Sequence, residues 1–164
     1  MWERFRRFSA LDRQVQKVFL HALVLLPMIT LSLRWRGLRA TQASLTFLLS
    51  NAHPESGTAA VNTNASATAR MVEAADLYGL VHPSCLAKSL TLWWLLARQG
   101  IPSELRIGIR KEVEKFEAHA WVDCDGTALN EPDEHHQHYA AFDAAFSSLP
   151  LEEQRADLRE TKSK

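Results

Sequence analysis

Cysteine is nearly missing from this chain: 164 residues contain two, Cys85 and Cys124, in different predicted elements. Two cysteines do not make the disulfide framework of a small secreted scaffold. Net charge is missing too, because 19 Lys and Arg balance 19 Asp and Glu. A chain without basic excess gives no reason to expect a nucleic-acid partner. The N-terminus does not read as a secretory signal either, since the apolar stretch starts only at Val18 and no A-x-A cleavage pattern follows it. That stretch, Val18 to Leu33, is uncharged but holds His21 and Pro27. It falls short of the roughly 20 apolar residues a spanning helix needs, so it reads as a buried or interfacial helix pair rather than a membrane span. The expected location is cytoplasmic.

What is present is enough to fold. Apolar residues make up 46% and charged residues 23%, the balance of a soluble domain with a core. The charge is unevenly spread. Residues 1–40 hold Arg4, Arg6, Arg7, Arg13, Lys17, Arg34, Arg36 and Arg39 against only Glu3 and Asp12, an end suited to an anionic surface, lipid or acidic peptide. A helix is expected from Leu11 to Leu26, with Pro27 kinking or breaking it, and a second over Thr41–Ser50. Residues 51–69 are rich in Ala, Ser, Thr and Asn and read as a linker running into a helix at Thr68–Tyr78, which Gly79 ends.

The second half carries sharper signals. His82-Pro83-Ser84-Cys85 leads into an apolar helix, Leu86–Gln99, closed by Gly100 and Pro102. Glu104–Arg110 alternates, with Leu105, Ile107 and Ile109 on one face, as a half-buried strand does. Glu117–Cys124 alternates as well, setting Ala118, Ala120, Val122 and Cys124 opposite His119, Trp121 and Asp123. Asp125-Gly126 is a two-residue hairpin signal that returns the chain through Thr127–Asn130. Helix followed by strands makes the class α+β. The division is an N-terminal helical segment at 1–50, the linker, a core at 70–150 and a charged tail at 151–164.

Cys85 stands where a helix begins. Free N–H groups and the positive end of the helix dipole favour a thiolate there, and they can hold the oxyanion of an acyl-transfer transition state. His119, on a strand, is the matching base. Each alone reads more simply as a structural residue; the pair, each in the right kind of element, points to cysteine catalysis.

The stretches Cys85-Leu86-Ala87-Lys88-Ser89-Leu90-Thr91-Leu92-Trp93-Trp94, Gly100-Ile101-Pro102, Leu105-Arg106-Ile107-Gly108-Ile109-Arg110-Lys111 and Phe116-Glu117-Ala118-His119-Ala120-Trp121-Val122 resemble the transglutaminase-like leader peptidases of lasso-peptide biosynthesis. The opening Trp2-Glu3-Arg4-Phe5 and the segment around Leu25-Leu26-Pro27 resemble the helical front end of the same family. The resemblance implies a bacterial cysteine peptidase with a papain-like core that cuts the leader from a precursor peptide. A separate leader-recognition domain would act in trans, the split form of the family, and a lasso cyclase would use the freed amine. No cofactor and no metal are expected. The resemblance also implies a third catalytic group about a dozen residues past the histidine, usually Asp, and Glu131 occupies that place here. An ideal hairpin puts Asn130 rather than Glu131 on the His119 face, so Asn130 is an alternative orienting group. A transglutaminase-like acyltransferase using the same pair, or a non-catalytic interaction module, are the other readings. His135-His136-Gln137-His138 lacks regular metal-ligand spacing and reads as a solvated loop. The basic, apolar front end is expected to dock the leader or its recognition partner.

Overall fold

The computed structural model describes residues 12–50, 61–79, 81–112, 115–130, 140–141 and 146–147. Helix α1, Arg13–Ser50, is two helical arms joined across a kink. Pro27 does not end it, contrary to expectation. The missing N–H costs one backbone bond, roughly 3 kcal/mol, which the burial of Val18, Ala22, Leu26 and Ile29 on the inner face offsets. The kink comes at Gly37, with φ 75° and ψ 177°, a combination essentially confined to glycine. Ser32 Oγ and Thr41 Oγ1 then meet at 2.8 Å, a contact that residues nine apart in one straight helix could not make.

Helix α2, Val61–Tyr78, begins ahead of the expected Thr68, so it takes in the last part of the expected linker; 51–60 lie outside the described residues. Helix α3, Cys85–Arg98, is capped by Ser84, whose Oγ accepts from the Ala87 N–H at 3.3 Å. It closes in a Schellman arrangement, with Ile101 N–H on the Leu96 carbonyl and Gly100 N–H on that of Ala97, both at 3.0 Å. Gly100 supplies the positive φ of 70° that this stop requires.

Strands β1, Glu104–Glu112, and β2, Lys115–Cys124, pair antiparallel, with Leu105 opposite Val122 and Gly108 opposite His119. Asp125 and Gly126, with φ of 51° and 76°, form the primed hairpin turn the dipeptide predicts. That turn returns the chain as β3, Thr127–Ala128. The short β4, Ala140–Ala141, and β5, Phe146–Ser147, both lie against the other edge of β1.

Helix α3 is the centre of this α+β fold. Trp94 Nε1 donates to the Leu45 carbonyl of α1 at 3.2 Å, and Gln99 Nε2 to Thr68 Oγ1 of α2 at 3.1 Å. Its Ser89 reaches β2. Ser89 through Leu96 are all buried, and the core joins them to Leu105, Val122 and Cys124 of the sheet and to Leu26, Ile29 and Leu45 of the two α1 arms. The N-terminal segment and the second half of the chain therefore share one core.

Candidate active site

Cys85 is the first residue of α3 and is half-buried. The Ser84 cap takes the Ala87 N–H, and the Lys88 N–H bonds the Ser84 carbonyl at 3.0 Å. The first N–H groups of the helix, at Cys85 and Leu86, have no intrahelical acceptor. One turn further, Ser89 Oγ donates to the Ala120 carbonyl at 2.8 Å. Ala120 directly follows His119. Cys85 and Ser89 lie on one helix face, about 6 Å apart along the axis, so this bond ties α3, one turn past Cys85, to the strand residue that follows His119.

The approach is along the edge of β2, and Asn130 makes it possible. The regular ladder ends where the Leu129 N–H meets the Val122 carbonyl at 2.9 Å. Asn130 then replaces a strand residue with its side chain: Oδ1 accepts from the Val122 N–H at 2.8 Å, and Nδ2 donates to Ser89 Oγ at 2.9 Å. The Ala120 carbonyl, which a longer β3 would have used, is left to the Ser89 hydroxyl. Ser89 is fully buried, so the chain from Val122 through Asn130 and Ser89 to Ala120 is a closed polar lock between helix and strand.

His119 lies on the sheet face expected for it, turned from Val122 and Cys124. It is half-buried, and its ring is nearly parallel to that of Trp121, with an interplanar angle of 13° and centroids 6.4 Å apart. On the same face Arg106 contacts Glu104 at 2.8 Å and Asp123 at 3.9 Å. Cys124 is a different kind of thiol. It is buried in the core and donates to the Pro102 carbonyl at 3.4 Å. Burial first, then the nearby Asp125 and Asp123 carboxylates, push its pKa above the usual thiol value.

Glu131 and the His135–His138 cluster lie outside the described residues. Asn130 engages Val122 and Ser89 as described. The Ser89 link was missed from sequence; its only signal was a Ser one turn after Cys85 on an otherwise apolar helix face. Lys88, on the first turn of α3, contacts Asp76 at 3.3 Å and Glu73 at 3.5 Å on α2. Burial alone would lower its pKa, but the two carboxylates outweigh it and the net shift is upward.

The family model of the transglutaminase-like superfamily matches residues 24–143, from the first arm of α1 past β4. No curated protein and no solved structure matches the chain. Activity in this superfamily is of cysteine-protease or acyltransferase type, generally built on a catalytic cysteine. By a match covering most of its length, the chain belongs to the transglutaminase-like superfamily.

Proposed function

We propose that the protein is a cysteine peptidase that removes the leader from a lasso-peptide precursor, with Cys85 as nucleophile and His119 as base. The observation that supports this reading is the position of Cys85 at the head of α3, one turn before Ser89, which bonds the carbonyl of the residue after His119. The finer assignment to leader removal rests on the sequence resemblance around both residues. Glu131 is the acid that orients the imidazole in this reading.

The chemistry follows in two halves. The Cys85 thiol gives its proton to His119 while sulfur adds to the scissile carbonyl, and helix N–H groups receive the oxyanion. The C–N bond breaks as His119 returns the proton to the leaving amine, which leaves a thioester on Cys85. Water then adds, losing a proton to His119; the C–S bond breaks, the leader carboxylic acid departs and the thiol is restored. A leader-recognition domain presents the substrate, and a lasso cyclase takes the released amine onward, in the cytoplasm.

The test is mass spectrometry of precursor incubated with the protein and a leader-recognition domain. Two fragments whose masses sum to the precursor plus one water support the reading. A precursor that stays whole overturns leader removal, and a product in which an added amine replaces water in preference to hydrolysis favours an acyltransferase.

A further inference from the structure

The first arm of α1 is apolar on both faces, and the core uses only one. Val18, Ala22, Leu26 and Ile29 point inward and are buried. On the opposite side Leu20, Val24, Met28, Leu31 and Trp35 form a second stripe, each between 46% and 76% exposed. They follow one another at spacings of four, four, three and four residues, which holds them on one face for about 22 Å. Such a ridge is larger than the scattered surface apolar residues that require no explanation.

Charge shows what kind of surface fits it. Residues 13–50 contain Arg13, Lys17, Arg34, Arg36 and Arg39 and no Asp or Glu. Arg13 and Lys17 continue the row of the stripe at one end, while Arg34 and Arg36 flank Trp35 at the other. Between Val18 and Leu33 there is no charge on any face. A protein-docking ridge normally carries a polar, charged rim along its length. Here the cations stand only at the two ends, where long side chains reach from an apolar layer to phosphates. An 18-residue stretch of this helix is long and apolar enough to cross a membrane, yet its inner face is locked into the core. The body of the protein thus takes the place of the polar face of an interfacial helix.

We infer that the outer face of α1 rests on an anionic lipid surface, with the stripe in the headgroup–acyl boundary and the arginines on phosphate groups. The net zero charge of the chain conceals the necessary polarity. Residues 1–40 hold eight basic and two acidic residues, whereas 41–164 hold eleven and seventeen, so the molecule orients with its front end toward the negative surface. This inference does not depend on the substrate proposed above.

The test is co-sedimentation of the full chain with vesicles of phosphatidylcholine, with and without phosphatidylglycerol. Binding is expected only with phosphatidylglycerol present and is expected to weaken with salt. Val24→Ser with Met28→Ser and Leu31→Ser should weaken it by more than about tenfold, as should Lys17→Glu with Arg34→Glu, each with an unchanged melting temperature. Arg70→Glu, on α2, is the control and should bind as the parent does. Failure of the wild type to bind these vesicles overturns the inference. So does a stripe variant that binds them normally but loses a leader-recognition domain or a self-association seen by sedimentation velocity. Retention in the pellet after alkaline carbonate extraction of cell membranes overturns it in favour of a spanning helix. Because the readout is vesicle binding, leader cleavage can fail while this result stands.

Discussion

The first arm of α1 and helix α3 look alike in sequence, each built round an uncharged, largely apolar run, 18–33 in one and 89–97 in the other, and the fold treats them in opposite ways. Helix α3 lies between the helical layer and the sheet, so Ser89 through Leu96 disappear from solvent whichever way they point. The first arm of α1 has neighbours on its inner side and none on its outer side among the described residues, and Leu20, Val24, Met28, Leu31 and Trp35 stay exposed. Apolar character all round therefore does not establish burial; it establishes a need for an apolar neighbour. In α3 the protein supplies that neighbour on every side.

The largest expected effect bears on the head of α3. Cys85→Ala and His119→Ala should each lower cleavage by orders of magnitude, because nucleophile and base act as a unit, while circular dichroism stays unchanged. Near wild-type cleavage by Cys85→Ala would remove the cysteine mechanism.

The comparison itself is tested by matched truncations. Leu92→Ala, at 0% exposure, should cost about 2–5 kcal/mol in denaturant unfolding. Leu31→Ala on the outer stripe should change stability by less than about 0.5 kcal/mol. Equal losses would mean that the outer face of α1 is packed, and the contrast between the two helices would collapse.

Asn130→Ala sharpens the picture of how α3 meets the sheet. It removes the acceptor of the Val122 N–H and a donor to Ser89, leaving buried groups at a cost of about 1–3 kcal/mol. If the lock also positions Cys85 against His119, kcat should fall while KM for the precursor holds, and Ser89→Thr should retain more activity than Ser89→Ala. A loss of stability with kcat intact would reduce the lock to scaffolding.

Gly37→Ala addresses the kink of α1. No atom lies within 4 Å of the position an added Cβ would take, so any penalty is one of backbone conformation, about 1–3 kcal/mol. A stability gain would show that the arms open without harm.

The smallest effect belongs to Lys88. Its pKa is raised by Glu73 and Asp76 against the opposing effect of burial. Its contribution is therefore complete below the unfolded lysine value of about 10.4 and lost as pH rises through the higher folded value. Lys88→Met should cost no more than about 1 kcal/mol at pH 7, and the difference from wild type should shrink above pH ~10.5. A gap that persists at higher pH would assign the loss to packing.

Much of the second half was legible because its signals are local. Pro83-Ser84 opens α3, Gly100 stops it, Asp125-Gly126 turns, and strand alternation sets His119 and Trp121 against Val122 and Cys124; neighbouring residues decide each of these. The long-range features were not legible. The helix runs through Pro27 because a buried inner face outweighs one lost hydrogen bond, and it kinks at Gly37, which carried no obvious sign of it. Helix α2 starts at Val61 inside a stretch whose small polar residues resemble a linker, because Ala65, Ala69, Val72 and Ala75 find a close partner surface there.

The sequence by itself determined helix α3, strands β1 and β2, the turn after β2 and the class α+β, since periodicity and turn residues act over a few positions; the short β4 and β5 it did not announce. Only the tertiary structure decided what faces what. It placed α3 between two layers, brought Ser89 and Asn130 together across 41 residues, and left one apolar face of α1 outside the described core. Those outcomes depend on burial and on hydrogen bonds between distant segments, and a local pattern specifies neither.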